Sequence, residues 1–282
     1  MKQFEGRVAA ITGAASGMGR ELAVELAKAG AHLSVSDVNE VGLAETVALA
    51  KAANGAVTIS HAKVDTSSRD EVYAWAARTR ADHGKVNLIF NNAGVALSSA
   101  LAEVKPEDFQ WIMGINFWGV VWGSQAFLPH LRESGEGHIV NTSSLFGLLS
   151  VPFNGPYNAS KFAVRGYTEA LRMELELEGS AVSATCVHPG GIRTNIAKAA
   201  RVDPSTARAT GVDAEVAKRR FDKMLDRTTA NSAARQILAA VQKNQRRVLV
   251  GSDARLLDKV VRVFGSWYQP LVLRSMKRLQ RD

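Results

Sequence analysis

The sequence predicts an α/β fold in which helices cover both faces of a doubly wound parallel sheet of about seven strands. Short apolar or β-branched segments alternate along the chain with longer segments whose apolar residues recur at helical spacing. Several of the short segments are apolar throughout, as expected for strands that are covered on both faces. No internal repeat, low-complexity tract or Pro/Gly-rich linker divides the chain, so we expect one domain over residues 1–251.

The predicted elements follow one another in a regular order. Strands are predicted over residues 8–12, 31–36, 57–64, 86–91, 138–143, 182–187 and 247–250. Helices are predicted between them, over residues 20–29, 44–53, 69–83, 106–131, 157–177 and 233–242. Residues 195–227 follow a strand end, where binding loops of open α/β sheets gather, and we expect them to form a lid over the substrate. Residues 252–282 are predicted to form a basic, amphipathic helical tail.

The composition is typical of a globular protein. Of the 282 residues, 46% are hydrophobic and 22% are charged. The single cysteine, Cys186, lies in an apolar segment and is predicted to be a buried strand thiol, which fits a reducing compartment. The first residues lack the pattern of a signal peptide, and no uncharged segment reaches the ~18 residues of a membrane span. We therefore expect a cytoplasmic protein.

Much of the net charge of +8 is concentrated at the C-terminal end. From Arg246 onward there are nine basic residues and three acidic ones. No DNA-binding motif accompanies these charges, so a nucleic-acid partner is not expected. A helix of this composition can lie on an anionic membrane surface, pack on a neighbouring subunit or cover the substrate cleft. We favour contact with protein, because helices of globular proteins are commonly amphipathic.

A glycine-rich segment follows the first predicted strand and opens the first helix. Its sequence is Gly13-Ala14-Ala15-Ser16-Gly17-Met18-Gly19. Glycines at such a turn let the backbone approach a pyrophosphate at the positive N-terminus of a helix. The strand–turn–helix context therefore favours a Rossmann-like dinucleotide site over a generic turn.

Polar residues at the ends of the next strands complete the predicted cofactor site. Asp37 ends the second strand, where a carboxylate would accept hydrogen bonds from ribose hydroxyls and repel a 2′-phosphate, so NAD is predicted over NADP. Asp65, after the third strand, either caps a helix or contacts the adenine. The segment Asn92-Ala93-Gly94 suits a loop over the cofactor, although a plain turn would need the same residues.

A tyrosine and a lysine lie one helical turn apart in the predicted helix 157–177. Tyr157 and Lys161 are four residues apart and share one helix face, and Ser144 lies upstream. An ammonium beside a phenol would lower the phenol pKa from its usual ~10, so that the phenol could exchange a proton with an alcohol or ketone. On its own this spacing is more often an ordinary half-buried pair.

Six motifs in this order resemble those of the short-chain dehydrogenases/reductases. The resemblance covers the chain from Val8 to about Val250 and leaves out the tail. The motifs are Thr12-Gly13-x-x-x-Gly17-x-Gly19, Asn91-Asn92-Ala93-Gly94, Asn116, Ser144, Tyr157-x-x-x-Lys161 and Pro189-Gly190.

The resemblance implies a role for each residue of the catalytic group. Tyr157 is the general acid/base, and Ser144, selected over Ser143 by its spacing to the tyrosine, hydrogen-bonds the substrate oxygen. Lys161 lowers the pKa of Tyr157 and, like Tyr157, binds the cofactor. Asn116 either holds a water of the proton relay or bridges a helix kink. The other cofactor residues implied are Pro189, Gly190, Ile192 and, at the carboxamide, Thr194.

The substrate is predicted to be an apolar secondary alcohol or ketone of steroid, retinoid or fatty-chain type. The residues expected in its pocket are Ser144, Leu145, Phe146, Phe153, Gly191 and Ile196. The alternatives are an NADP-dependent carbonyl or acyl-CoA-ester reductase and a weakly catalytic regulatory protein. No metal site is predicted. The resemblance further implies a homodimer or homotetramer, paired through apolar surfaces on the helices around Trp118 and Phe162.

Overall fold

A computed structural model describes residues 2–279 of the chain, the side chains of residues 214, 217, 224, 278 and 279 excepted. Met1, at the start of the predicted domain, and residues 280–282, at the end of the predicted tail, lie outside the described residues. The predicted lid and tail are otherwise within the described part.

Helices and strands alternate throughout the first two thirds of the chain. They are β1 (Val8–Thr12), α1 (Gly17–Lys28), β2 (His32–Asp37), α2 (Glu40–Ala53), β3 (Ile59–Lys63), α3 (Arg69–His83), β4 (Leu88–Asn91), β5 (Leu97–Ser98), α4 (Pro106–Met113), a π-helical turn (Gly114–Trp118), α5 (Gly119–Glu133), β6 (Gly137–Thr142), a 3₁₀ turn (Leu145–Gly147), α6 (Gly155–Leu177) and β7 (Val182–Pro189).

The last third holds the lid, the final strand and the tail. Its elements are β8 (Ile192–Arg193), β9 (Arg201–Val202), α7 (Pro204–Thr210), α8 (Ala214–Leu225), β10 (Thr228–Thr229), α9 (Ala230–Gln242), β11 (Arg247–Val250), α10 (Ser252–Phe264), a 3₁₀ turn (Gly265–Trp267) and α11 (Tyr268–Leu279).

The seven long strands form one parallel sheet, in agreement with the predicted fold class. Their order is β11-β7-β6-β4-β1-β2-β3. The chain runs outward from β1 to β3 and then returns to the other side of β1 at β4, so the strand order reverses between β1 and β4. Ligands of open parallel sheets bind beside the carboxyl ends of the strands at such a reversal. The topology alone therefore places a binding crevice after Thr12 and Asn91.

Two apolar layers hold the helices on the sheet. One face is covered by α1, α2 and α9, with Leu22, Leu26 and Ile237 fully buried. The other face is covered by α3, α5 and α6, where Trp75 packs edge-on against Phe127 with ring centroids 4.9 Å apart. This burial on both faces explains why the central strands are apolar throughout.

The helix starts follow from local side-chain chemistry. Asn39 caps α2 by accepting a hydrogen bond from the Gly42 N–H, and Ser68 caps α3 by accepting one from the Glu71 N–H. Asp65 does not cap α3, contrary to one of its two predicted roles. Its carboxylate instead accepts hydrogen bonds from the N–H and hydroxyl of Ser67 in the turn before the cap.

Most predicted elements differ from the structure by a few residues at their ends, and two regions differ in kind. The helix predicted over residues 106–131 runs to Glu133 but contains the π-helical turn Gly114–Trp118. The region of weak periodicity, residues 195–227, contains α7, α8 and the short strand β9, which pairs with β5. Two-residue strands and a π turn depend on contacts with distant residues, so local periodicity does not show them.

Two further predictions concern single side chains and surfaces. Cys186 is buried in β7, where burial raises the pKa of its thiol to about 12, as expected for an inert strand thiol. Trp118 and Phe162 are exposed on neighbouring helices, and Trp118 stacks on Trp122 with centroids 4.9 Å apart. Pairing of subunits through this face stays a prediction. Among residues 2–279, no helix is both long and apolar enough to cross a membrane.

Two buried histidines should make the fold sensitive to acid. Burial lowers the pKa of His138 to about 3 and that of His188 to about 4. Because an unfolded histidine takes up its proton near pH ~6.5, the unfolded state binds more protons as the pH falls below that value. The free energy of unfolding should therefore fall between about pH 6.5 and 4, by up to ~1.4 kcal/mol per pH unit for each histidine.

Urea denaturation measured at several pH values checks this expectation. His138→Gln should show a shallower loss of stability with acid than the wild type, whereas His61→Gln, at an exposed position of β3, should keep the wild-type slope. Equal slopes for all three proteins would contradict the assignment to His138.

Candidate active site

Three glycines in the loop after β1 allow the close backbone contacts from which the site is built. Gly13 has a φ of 66°, and a Cβ atom there would lie 2.7 Å from the Cα of Ala93. Gly17 has a φ of 55° and lies against the side chain of Thr194, and a Cβ on Gly19 would come within 2.1 Å of the Gly13 carbonyl oxygen. A larger residue at Gly13 would push the loop away from Ala93, and one at Gly19 would collide with the backbone of the loop itself.

The loop after β4 is hydrogen-bonded to the loop after β1. The Thr12 hydroxyl oxygen accepts hydrogen bonds from the N–H groups of Asn92 and Ala93, each at 3.0 Å. The Asn92 amide donates to the carbonyls of Thr12 at 3.1 Å and Gly13 at 3.3 Å. The Asn92 side chain therefore holds the two loops together and lies beside the predicted cofactor loop.

The start of α1 suits a pyrophosphate. The helix begins at Gly17 after the N-cap residue Ser16, which makes no side-chain capping bond, and its first turn has no acidic residue. Its first N–H groups are thus available to an anion at the positive end of the helix dipole. Of the neighbouring predicted residues, Ala15 is buried and Met18 packs against the apolar core.

Asp37 lies at the end of β2 and faces the glycine loop. Its carboxylate accepts hydrogen bonds from the N–H of Ala15 and the N–H of Asn39, both at 2.9 Å. Each oxygen keeps lone pairs for ribose hydroxyls. The nearby Arg20 guanidinium turns away, because it donates to the carbonyls of Ala15 and Gly42 and pairs with Glu45.

These features fit a dinucleotide. The glycine cradle would be filled by any Cβ, the helix N-terminus is uncapped by side chains, and the Asp37 carboxylate stands one strand away. Residues of the crevice would hold the adenosine ribose at Asp37 and the pyrophosphate at Gly17. Thr194 lies beside the same loop, with its side chain against Gly17, and its contact with the carboxamide stays a prediction.

Tyr157 and Ser144 lie together at the inner end of this crevice. Tyr157 is 9% exposed near the start of α6, and the Ser144 side chain is near enough to its phenol to lower the phenol pKa. Ser144 is extended and starts the 3₁₀ turn, with its oxygen accepting from the Phe146 N–H at 3.1 Å. Ser143 points elsewhere, since its hydroxyl donates to the Lys161 carbonyl at 2.7 Å. The spacing argument had selected the same serine.

The expected effect of Lys161 on Tyr157 requires a correction. Burial raises the pKa of the Tyr157 phenol, the Ser144 hydrogen bond opposes this rise, and Lys161 is not among the causes. The lysine Nζ donates to the Thr142 carbonyl at 3.0 Å and lies 5.8 Å from the centre of the Tyr157 ring. Burial also lowers the pKa of Lys161 to about 8. Desolvation dominates both groups because neither charge has an ionic partner nearby.

Asn116 connects the catalytic pair to the cofactor loop. Its side chain accepts from the Val95 N–H at 2.8 Å and donates to the Val95 carbonyl at 3.0 Å and to Ser160 at 3.2 Å. A Cβ on Gly94 would lie 3.3 Å from both the Asn116 Oδ1 and the Lys161 Nζ. Asn116 occupies the π-helical turn, so its two predicted roles, holding a water of the proton relay and bridging a helix kink, both stay predictions.

Apolar side chains surround the phenol. Tyr157 belongs to a buried cluster, and the Phe146 ring contacts it edge-on at 6.1 Å between centroids. Phe146 and Ile196 were predicted at this pocket. The cluster also includes residues that the sequence did not single out for the pocket: Val95, Ala96, Leu97, Val104, Trp111, Ile112, Ala200 and Phe221. They come from four separate segments, so no local pattern joins them.

Three residues predicted for the substrate pocket have other surroundings. Leu145 is buried with Leu148 and Leu149 against the tail, not with Tyr157. Gly191 is hydrogen-bonded through its N–H to Asp253 of α10 at 2.7 Å. Phe153 has a φ of 62°, uncommon for a bulky residue, and its carbonyl accepts from the Ser99 N–H. These contacts favour structural roles for Leu145 and Gly191.

Two residues near the site escaped the sequence analysis. His188, just before Pro189-Gly190, is fully buried, and its Nδ1 is 2.8 Å from the Ser144 carbonyl oxygen, so it helps to fix the Ser144 backbone. A histidine at the end of a buried strand, directly before Pro189-Gly190, was the available signal. Asp253 lies against Gly190 and accepts a hydrogen bond from the Gly191 N–H. Acidic residues are common in the first turn of a helix, because they face the positive end of the helix dipole, so the position of Asp253 in the sequence did not point to this site.

Comparison with known proteins agrees with this geometry. The family model for short chain dehydrogenase matches residues 7–205. The chain belongs to the short-chain dehydrogenase family. It is an oxidoreductase of that family, and its seven-stranded parallel sheet and glycine cradle carry the corresponding fold.

Relatives of this short-chain dehydrogenase span nearly its whole length. It is 46% identical over 272 residues to a putative oxidoreductase, SadH, of Mycobacterium tuberculosis, covering 96% of each chain. It is 36% identical over 207 residues to estradiol 17-beta-dehydrogenase 11 of Homo sapiens, covering 73% of this chain and 67% of the human protein. A short chain dehydrogenase/reductase from Burkholderia phymatum, solved in complex with NAD, is similar at 32% identity and a TM-score of 0.85, covering 95% and 97% of the two chains.

The two adjacent serines offer a matched test of the site. Ser144→Ala should lower kcat by about 100-fold, because it removes a hydrogen-bond donor at the reacting oxygen. Ser143→Ala removes only the bond to the Lys161 carbonyl, so it should cost about 1 kcal/mol of stability and leave kcat within a few fold. Steady-state kinetics and urea denaturation of both variants check this. Equal losses of kcat would contradict the assignment of Ser144.

Proposed function

We propose that this short-chain dehydrogenase transfers a hydride between NAD(H) and an apolar secondary alcohol or ketone of steroid, retinoid or fatty-chain type. The observation that carries the proposal is a buried phenol beside Ser144 inside an apolar cluster, next to a glycine cradle that fits a dinucleotide. The similarity to estradiol 17-beta-dehydrogenase 11 supports a substrate of this kind.

In this proposal, the chain manages the proton and the geometry of the reaction. The nicotinamide, when bound, accepts or supplies the hydride. The Tyr157 phenol gives its proton to a ketone oxygen, whereas its deprotonated form, the tyrosinate, takes the proton of an alcohol, and Ser144 hydrogen-bonds the substrate oxygen. Lys161 and Asn116 both lie beside Gly94, where they would relay the proton between the phenol and solvent. The apolar residues around Phe146 exclude water.

Burial gives the phenol a definite preference for one protonation state. Because the pKa of Tyr157 is raised, the phenol is protonated at neutral pH and is ready to act as an acid toward a ketone. With a pKa of about 8, Lys161 is still largely charged there. Oxidation of an alcohol needs the tyrosinate, so the same site would favour that direction at higher pH.

Tyr157→Phe tests the chemistry. The variant should lose at least about 1,000-fold in kcat on an active alcohol or ketone, while its Kd for NADH stays within a few fold, because phenylalanine keeps the ring and removes only the proton donor. Tyr167→Phe on the same helix is the matched control, since Tyr167 contacts the ring of Phe117 and lies away from Ser144.

The assay screens steroids, retinoids, fatty alcohols and acyl-CoA hydroxy esters with both nicotinamide cofactors, followed by the absorbance of the reduced cofactor. Turnover by Tyr157→Phe near the wild-type rate would refute the mechanism. Preference for a sugar or a charged hydroxy acid over every apolar compound would refute the substrate class.

Preference for NAD is proposed from Asp37. Its carboxylate would accept bonds from the ribose hydroxyls and repel a 2′-phosphate, and the nearest arginine, Arg20, is already paired with Glu45. Asp37→Asn removes the charge and keeps an oxygen for the Ala15 N–H. It should bring the Kd for NADPH at least about tenfold closer to that for NADH.

Glu40→Gln, in the next turn of chain, is the control and should leave the ratio of the two Kd values unchanged. Titration of NADH and NADPH by protein fluorescence measures these values. Tighter binding of NADPH than NADH by the wild type would refute the preference.

A further inference from the structure

The two tail helices α10 and α11 have one face against the protein and another exposed. On the inner face, Leu257, Val261 and Tyr268 pack against the loop that follows Ser144, and the Tyr268 hydroxyl oxygen accepts a hydrogen bond from the Ser150 N–H at 2.9 Å. Asp253 holds the Gly191 N–H at the start of the tail. These contacts hold the helices in a defined orientation on the active-site side of the molecule.

The outer face carries large apolar side chains that contact no core. Trp267 is 75% exposed and Phe264 is 51% exposed, and they lie at the junction of the two helices. The exposed apolar residues of this face are Leu256, Val263, Phe264, Trp267, Leu271 and Leu273. Isolated exposed apolar residues are ordinary, but six within 18 positions form an interaction surface.

Within residues 252–279, the charged side chains of this surface that form no ion pair are all positive. Lys259, Arg274 and Lys277 are exposed, and they make no ion pair with any residue within 2–279. The tail has only two acidic residues before residue 280, and both are used internally. Asp253 accepts from the Gly191 N–H, and buried Asp258 pairs with Arg262 at 2.7 Å.

From this combination we infer that the outer face of α10 and α11, with Trp267 at its centre, binds the surface of an anionic phospholipid bilayer. The apolar side chains enter the headgroup region and the free lysines and arginine meet lipid phosphates. Tryptophan suits this boundary because its ring is apolar and its N–H is polar. A peripheral contact of this kind needs no membrane-spanning helix.

A second copy of the chain fits this surface less well. In a two-fold dimer, each patch faces the same patch, so the free cations of one copy would face those of the other, and residues 252–279 offer no free carboxylate between them. Anionic lipid supplies the missing charge. The inner face also places the membrane beside the loop of Ser144 and Phe146, on the side where an apolar substrate would arrive.

Sedimentation with vesicles tests the inference on the full chain. Wild type should bind phosphatidylcholine vesicles that contain about a third phosphatidylserine at least about tenfold more strongly than pure phosphatidylcholine vesicles. Binding should weaken as salt rises from about 0.1 M to about 1 M. Phe264→Ser/Trp267→Ser and Lys259→Gln/Arg274→Gln/Lys277→Gln should each lose about tenfold or more.

Matched controls use exposed residues away from the tail. Leu101→Ser/Leu177→Ser removes two exposed leucines, and Lys51→Gln/Lys85→Gln/Lys243→Gln removes three lysines. Both should bind vesicles like the wild type. All substituted positions of these four variants are exposed, and circular dichroism verifies that each variant folds.

Several outcomes would overturn the inference. They are an absence of wild-type binding to anionic vesicles, equal binding by the Phe264→Ser/Trp267→Ser variant, and equal losses in the control variants. A wild-type dimer that this variant converts to monomer, without vesicle binding, would assign the surface to a second copy. The inference does not rest on the proposed reaction, because Tyr157→Phe should bind vesicles as the wild type does.

Discussion

The contact between the loop after β1 and the loop after β4 is the constraint on which the site depends. The Thr12 hydroxyl accepts two N–H bonds from the second loop, and the Asn92 amide returns two bonds to the first. Gly13 permits this contact because a side chain there would collide with Ala93. The N-terminus of α1 and the segment leading to Gly94 therefore form one unit, which fixes the position of the glycine cradle relative to Asn116 and Lys161.

Desolvation is the largest influence on the pKa values of Tyr157 and Lys161. Burial raises the pKa of Tyr157 and lowers that of Lys161, so each side chain is biased toward its neutral form. In such surroundings, a hydrogen bond that the Ser144 hydroxyl makes is electrostatically stronger than it would be in water. Buried polar groups need hydrogen-bond partners, which explains why the side chains of Ser143, Asn116 and His188 all make hydrogen bonds to backbone groups of other residues.

The tail is part of this arrangement and not a loose appendage. Asp253 accepts a hydrogen bond from the Gly191 N–H, and Tyr268 accepts one from the Ser150 N–H in the loop after Ser144, so α10 and α11 contact both the Gly190-Gly191 turn and that loop. Asp258 connects the tail to the sheet through an ion pair with Arg247 of β11, and it also pairs with Arg262 within α10. The same helices keep their apolar outer residues exposed, so the tail connects the site to an outside surface.

The sequence by itself determined the order and type of the main elements, because periodicity and turn chemistry are local properties. Residues 8–12, 69–83 and 247–250 were predicted with the bounds that the structure has. The glycine loop and Asp37 were singled out from their places at strand ends, Tyr157 and Lys161 from their helical spacing, and Ser144 from the family resemblance. Only the tertiary structure decided which side chains meet. The sign of the Tyr157 pKa shift, the bond from His188 to Ser144 and the packing of Leu145 on the tail all depend on burial and on contacts between distant segments, which no local pattern contains.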